Sequence, residues 1–295
     1  MEFKKILFPT KFRELAFNSL ESILELKKAG LKEVVLTYII PRDEVAFVPY
    51  GGYMKDEEER LREQARIRFE DWQQSISKHG IKSTIRIEVG NPIPKIMSIA
   101  EEEKVDMIVA GRKKRTVLDK VHVGSHTLDL VRRSSVPVLI SKYMVRFEWE
   151  GHLITRVNDR IFTRPLLATD WSEPSEKALK LVSSFKELAD KVMVTHIIGV
   201  KISKGLDKSE LNRIEKESKE RLEEYCDRLK RDGINAEPHL FSGRSANEIV
   251  RVAREHKASM IVMGTTGKDR LKQFWLGSVS HRVTESSELP VLLVP

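Results

Sequence analysis

The chain is written twice. The segment Val105-Asp106-Met107-Ile108-Val109-Ala110-Gly111 returns as Ala258-Ser259-Met260-Ile261-Val262-Met263-Gly264, and Gly124-Ser125 returns as Gly277-Ser278. Both pairs stand 153 positions apart. The same offset carries Gly90 onto Gly243 and Val136-Pro137-Val138-Leu139-Ile140 onto Leu289-Pro290-Val291-Leu292-Leu293. Nearer the start, Pro9-Thr10 answers to Ala168-Thr169 at a spacing of 159, so the first copy holds a short insertion. It is placed around Asp43 to Tyr53, where Pro49, Gly51 and Gly52 mark irregular chain. A tandem duplication reduces the fold problem to one unit solved two times.

Within the second copy, apolar runs alternate with helical periodicity. Residues 164–169, 192–198, 236–241, 260–263 and 291–294 read as short strands. Between them, 174–188 carries Ala178, Leu179, Leu181, Val182, Phe185 and Leu188 at helical spacing, and 207–231 is a charged amphipathic helix stopped by Gly233. Residues 246–256 and 278–286 complete the set. Near-continuous apolar strands separated by helices indicate a parallel sheet covered on both faces. The fold class is therefore α/β: two tandem doubly wound sandwich domains with five-stranded parallel sheets. Residues 1–144 form the first domain and 161–295 the second. Residues 145–160 fit neither copy, and the alternation Val145-Arg146-Phe147-Glu148-Trp149-Glu150 suits an extended linker or a small hairpin packing the two units.

Composition narrows the function classes. With 295 residues, 40% hydrophobic, 33% charged and one cysteine, the chain suits two ordinary domains. Cys226 has no partner for a disulfide, which points to a compartment where thiols stay reduced, and no cysteine-based zinc site can form. The apolar run before Pro9 is too short for a signal peptide, and no run approaches the roughly 20 residues of a membrane span. A cytoplasmic location without membrane association is expected. The net charge of +8, from 52 Lys and Arg against 44 Asp and Glu, is a modest excess that fits plain solubility, so nucleic acid is not expected as a partner.

In open parallel sheets, ligands bind outside the carboxyl ends of the strands, where strand order reverses. After the fourth strand of the second copy stands Gly264-Thr265-Thr266-Gly267, then nine residues, then Gly277-Ser278-Val279-Ser280 opening a helix. Glycines let backbone N–H groups approach a bulky anion, and a helix start favours negative charge by about 0.3–1 kcal/mol. The combination suits a phosphate chain.

Gly264, Gly267, Gly277 and Ser278 reproduce a Gly-x2-Gly-x9-Gly-Ser/Thr signature. With Ala168-Thr169-Asp170-Trp171-Ser172 ending the first strand and Pro290-Val291-Leu292-Leu293-Val294-Pro295 closing the chain, the protein resembles the ATP-binding branch of the universal stress protein family, twice over and apart from the linker. The resemblance implies an adenine nucleotide, ATP or ADP or AMP, with Mg2+ beside a triphosphate. It places Ala168, Thr169 and Asp170 at the nucleoside, with the Asp170 carboxylate accepting from ribose hydroxyls. Ile197 would offer backbone groups to the adenine edge, and Met263 and Gly264 would pack beside the ribose. Gly267, Gly277, Ser278, Val279 and Ser280 would cradle the phosphates, with Lys268 and Lys272 in the intervening loop. No catalytic residue and no protein metal ligand is implied. The family's pairing through last strands implies an internal pseudo-dimer, residues 137–140 against 290–294, and a homodimer of chains.

The first copy departs from the pattern. Lys11 stands where the second has Asp170, and Lys114 where it has Gly267, so the first copy is expected not to bind ATP in the same way. Gly124 and Ser125 survive there beside the basic run 112–115. His122 and His126 flank Gly124 across a loop-to-helix boundary, a poor place for a metal. The leading reading is a nucleotide-dependent stress-response or regulatory protein. Its rivals are a slow ATP hydrolase or phosphotransferase, against which no acid and base pair near the phosphates, and a scaffold or nucleic-acid module using the basic surface of the first copy.

Overall fold

A computed structural model describes residues 3–13, 15–47, 52–111, 125–142, 144–149, 152–200, 205, 207–266 and 276–295. The first copy runs β1 (Lys5–Pro9), α1 (Ala16–Glu21), β2 (Glu33–Ile40), β3 (Ala46–Phe47), β4 (Gly52–Tyr53), α2 (Lys55–Lys78), β5 (Lys82–Val89), α3 (Pro92–Glu102), β6 (Met107–Gly111), α4 (Ser125–Arg133) and β7 (Val138–Ser141). A hairpin follows, β8 (Met144–Trp149) against β9 (His152–Val157), paired antiparallel from Met144 opposite Val157 to Trp149 opposite His152. The second copy runs β10 (Pro165–Ala168), α5 (Glu173–Val182), β11 (Val192–Gly199), α6 (Lys208–Arg231), β12 (Ala236–Gly243), α7 (Ser245–Glu255), β13 (Met260–Gly264), α8 (Ser278–Ser286) and β14 (Val291–Val294). The six-residue surplus of the first copy spans the small β3–β4 ribbon. No described helix is long and apolar enough to cross a membrane.

Ten strands form one sheet in the order β12-β11-β10-β13-β14-β7-β6-β1-β2-β5. Each copy contributes five parallel strands, the doubly wound pattern expected from the sequence. Strand order reverses between β10 and β13 and again between β1 and β6, and these are the two crevices where loops diverge. The halves join by antiparallel pairing of β14 with β7, Leu292 opposite Leu139, Val291 opposite Ile140 and Leu293 opposite Val138. Leu139 and Leu292 are counterparts in the repeat, so a local twofold axis passes between them, as in an isologous dimer interface.

Alternation along the strands sends Ile6 and Phe8 to one face of the sheet and Leu7 to the other. Each face carries a core that continues through both copies: Phe3 of the first stacks on Phe185 of the second with ring centroids 5.7 Å apart. Helix boundaries follow local chemistry. Asp207 caps α6 by accepting from the amides of Ser209 and Glu210, and Glu210 reaches back to the Asp207 amide. The α5 helix stops at Val182, short of the expected Leu188. There Ser183 and Ser184 donate their hydroxyls to the Leu179 and Leu181 carbonyls, at 3.4 and 2.6 Å, and a 3-10 turn follows.

Candidate functional site

Three segments of the second copy meet at the β10–β13 crevice. The first leaves β10. Thr169 continues the strand by donating its amide to the Thr195 carbonyl at 2.9 Å, and its hydroxyl accepts from the Trp171 amide at 3.1 Å. That bond turns Trp171 into the left-handed region, φ 66°. Asp170 is half-buried at the start of α5. Its Oδ1 accepts from the Ser172 amide at 3.1 Å and from the Ser175 hydroxyl at 2.8 Å, which leaves Oδ2 outside these bonds. Carboxylates at a helix start also sit in the favourable end of its dipole.

The second segment leaves β13. Gly264 lies against α5 so closely that a Cβ there would stand 2.7 Å from Pro174 Cβ. The Ser172 hydroxyl bridges to Thr266, 3.4 Å from its carbonyl oxygen. Thr265 then ties this segment to the third, its carbonyl accepting from the Gly277 amide at 2.8 Å and from the Ser280 hydroxyl at 2.7 Å. Ser280, expected among the phosphate contacts, thus spends its proton closing the loop. Gly277 occupies the cap position of α8 without a side-chain cap. The first intrahelical bond is His281 to Gly277, 2.9 Å, so the amides of Ser278, Val279 and Ser280 have no acceptor within the helix.

The strand register supplies a fourth feature. Thr195 directs its carbonyl toward β10, and backbone groups alternate along a strand, so Ile197 points its N–H and C=O the same way. β10 has ended by then, at Ala168, and that edge of Ile197 faces the crevice. The side chains of Ala168, Ile197 and Met263 share the apolar cluster below it. Gly267, Lys268 and Lys272 lie outside the described residues.

Beneath Thr169, α6 buttresses the first segment. His196 Nδ1 lies 2.8 Å from the Thr169 carbonyl oxygen, which requires the proton on Nδ1. The Trp171 indole packs on the His196 ring at 4.9 Å, meets Tyr225 edge-on at 5.1 Å and carries the Arg221 guanidinium over it at 4.8 Å. Tyr225 donates to Glu176, which also receives Arg228 at 2.9 Å. Burial first, and then this donation to a carboxylate, push the Tyr225 phenol well above its usual range.

The universal stress protein family model matches residues 2–142 and matches again over residues 162–295. The chain belongs to the universal stress protein family. Among curated relatives, the universal stress protein MJ0577 of Methanocaldococcus jannaschii is 32% identical over 154 residues, covering 48% of this chain and 95% of that one. The universal stress protein YxiE of Bacillus subtilis is 33% identical over 147 residues, 45% of this chain and 99% of that one. A solved universal stress protein from Archaeoglobus fulgidus superposes with a TM-score of 0.71 at 23% identity, covering 100% of this chain and 99% of that one, which shows a shared tandem fold.

As a tandem universal stress protein, the chain offers its first copy as an internal comparison. The turn backbone is retained: Phe12 has φ 51° and donates its amide to the Thr10 hydroxyl at 2.9 Å, and Arg68 lies over its ring at 5.2 Å, as Arg221 does over Trp171. The polar chemistry is not retained. Lys11, Arg13 and Ala16 stand where the second copy has Asp170, Ser172 and Ser175. α1 starts at Ala16 behind a left-handed Leu15, two positions later than α5 starts in its own copy. The helix start has therefore withdrawn, and a Cβ on Gly111, the counterpart of Gly264, would meet nothing within 4 Å among the described residues. Lys114, residues 112–115, His122 and Gly124 lie outside the described residues. Ser172, Ser175, Thr265 and Thr266 were not singled out from the sequence; comparing the copies at 159 would have flagged the two serines, since they change together with Asp170.

Proposed function

We propose that this universal stress protein binds one adenine nucleotide per chain, ATP accompanied by Mg2+, in the crevice of its second copy, and that occupancy serves as a regulatory or stress-response signal. The observation that carries the reading is the convergence of three kinds of group that are unspent among the described residues: Asp170 Oδ2, the crevice-facing backbone of Ile197, and the uncapped amides of α8. Each matches one part of a nucleotide. The carboxylate oxygen accepts from ribose hydroxyls. The Ile197 amide and carbonyl suit the donor and acceptor edge of adenine, over the floor made by Ala168, Thr169 and Met263. Gly264 packs beside the ribose with Met263, and Gly277 and the amides of Ser278, Val279 and Ser280 receive phosphate oxygens, with Gly267 in the loop between. Mg2+ supplies charge neutralisation on phosphate oxygens and keeps most of its waters. The network through Ser172, Ser175, Thr265 and Ser280 holds these groups in place before any ligand arrives.

Denaturing the purified chain and quantifying released nucleotide by mass spectrometry, alongside calorimetric titration with ATP, tests this. One nucleotide per chain is expected. Two per chain would overturn the one-site reading, and no release together with no titration would overturn nucleotide binding. Gly277→Val should abolish binding, because a Cβ there already stands 3.3 Å from both Ser280 Oγ and the Thr265 oxygen.

A further inference from the structure

Lys142 follows β7 at the end of the first copy and is only 5% exposed, a burial that lysine seldom accepts without a partner. Its ammonium donates to the carbonyl of Ser287, the residue that caps the C-terminal end of α8 in the second copy. A charge from one copy is thus planted at the negative end of the helix whose positive end borders the crevice of the other. α8 has nine residues and spans about 13 Å.

The repeat shows that this contact runs one way. Ser134 matches Ser287, and both close their helix through the same turn: Ser134 Oγ donates to the Val136 carbonyl at 2.7 Å, and Ser287 Oγ to that of Leu289 at 3.1 Å. The position in the second copy that corresponds to Lys142 is Pro295, which has no side-chain donor. Pro295 therefore offers the helix of the first copy no cation equivalent to Lys142.

We infer that Lys142 is a positioning residue for the anion site of the second copy, contributed by the first. It acts along α8: its ammonium and an anion at the helix N-terminus stand about 13 Å apart with buried protein rather than water between them, so the two opposite charges attract directly and each favours the other. The copy that has exchanged its own Asp and two Ser for Lys, Arg and Ala thereby completes the site that its neighbour retains. The inference rests on the nucleotide reading above and adds a dependence on phosphate charge.

The test is calorimetric titration of the full chain, wild type and Lys142→Met, with ATP, AMP and adenosine, after a thermal melt shows both folded. Lys142→Met should weaken ATP about two- to fivefold, the size expected for opposite charges about 13 Å apart across a largely protein medium, weaken AMP less, and leave adenosine unchanged. Lys142→Arg should keep the wild-type affinity for ATP. Unchanged ATP affinity in Lys142→Met overturns the inference, and so does an equal loss for ATP and adenosine, which would mark a packing role. If the methionine variant does not fold, Lys142→Gln takes its place with the same expectations. Wild-type protein that binds none of the three ligands overturns the nucleotide reading as well, so the two failures are told apart.

Discussion

Gly264→Ala and Gly111→Ala place one methyl group at positions that the repeat makes equivalent, and opposite outcomes are expected. At Gly264 the new Cβ would stand 2.7 Å from Pro174 Cβ and 3.2 Å from both the Pro174 carbonyl carbon and the Ser175 amide nitrogen. Carbon atoms rest about 3.5–4.0 Å apart, so the neighbours must yield by about 1 Å. Pro174 cannot swing aside: it is a ring in the first turn of α5, and moving it moves the backbone that holds Ser175 against Asp170. Overpacking of this kind lowers stability by about 1–3 kcal/mol, a fall in Tm of about 3–9 °C for a domain this size. At Gly111 the same methyl meets nothing within 4 Å among the described residues, and replacing a strand glycine gains about 0.5–1 kcal/mol from the unfolded side. Differential scanning calorimetry of the full chain, wild type and both variants, measures the contrast. A neutral Gly264→Ala, or equal losses in the two variants, would refute the close-approach argument.

Three further outcomes are expected. Cys226 is buried and desolvation pushes its thiol up to about 12, so a thiol reagent at pH 8 should leave the native chain unlabelled and modify it once unfolded; fast native labelling would contradict that burial. Glu25 lies at the seam between the copies, where burial raises its carboxyl above the usual 4.5 against the opposing pull of the Phe162 amide, Arg160 and Lys28, with Asp159 adding to the rise. A carboxyl whose folded pKa is raised favours the protonated native state, so its contribution is intact below about pH 4.5 and is lost as pH climbs through the raised value. Glu25→Gln should accordingly raise Tm at pH 7 and leave it unchanged at pH 4, and a lower Tm at pH 7 would sink the idea. Asp207→Ala should speed hydrogen exchange of the Ser209 and Glu210 amides while β11 amides keep their protection; uniform acceleration would show that the cap is not local.

The duplicated fold was legible because its signals are local and repeated. Unbroken apolar strands such as 291–294, helical spacing in 207–231 and a constant offset all survive without knowledge of long-range contacts. The same locality explains where reading stopped. The apolar spacing ran on to Leu188, but the hydroxyls of Ser183 and Ser184 back-bond to α5 and end it earlier. At the crevice, Asp170 and the glycines were visible as a pattern, while the link from Ser172 to Thr266 joins residues 94 positions apart and that from Ser280 to Thr265 closes a loop of 15. Gly264 shows a subtler limit. Its place in the motif suggests backbone approaching phosphate, yet Pro174 alone already forbids a side chain there. Lys142 was invisible for a stronger reason, since its meeting with Ser287 depends on antiparallel pairing between copies.

That pairing also explains how the two copies came to differ in chemistry while keeping one fold. A lone copy would leave its fifth strand, fully buried here, as an open edge offering N–H and C=O groups to any passing strand. In this chain each copy closes the other, and the outer edges are blunted: β5 carries Lys82, Arg86 and Glu88, and β12 carries Glu237, His239 and Pro238, the last lacking an amide proton. Among the described residues the sheet ends at ten strands. Two identical single-copy chains meeting through the same register would place one residue type at both ends of the interface, lysine twice or proline twice. Covalent tandem linkage removes that constraint. Lys142 can face Ser287 while Pro295 occupies the reciprocal position, and Lys11 can replace the acid in one crevice while Asp170 remains in the other. The asymmetry across the central strands thus has a physical basis: an interface within one chain does not have to be symmetric in sequence to be symmetric in backbone.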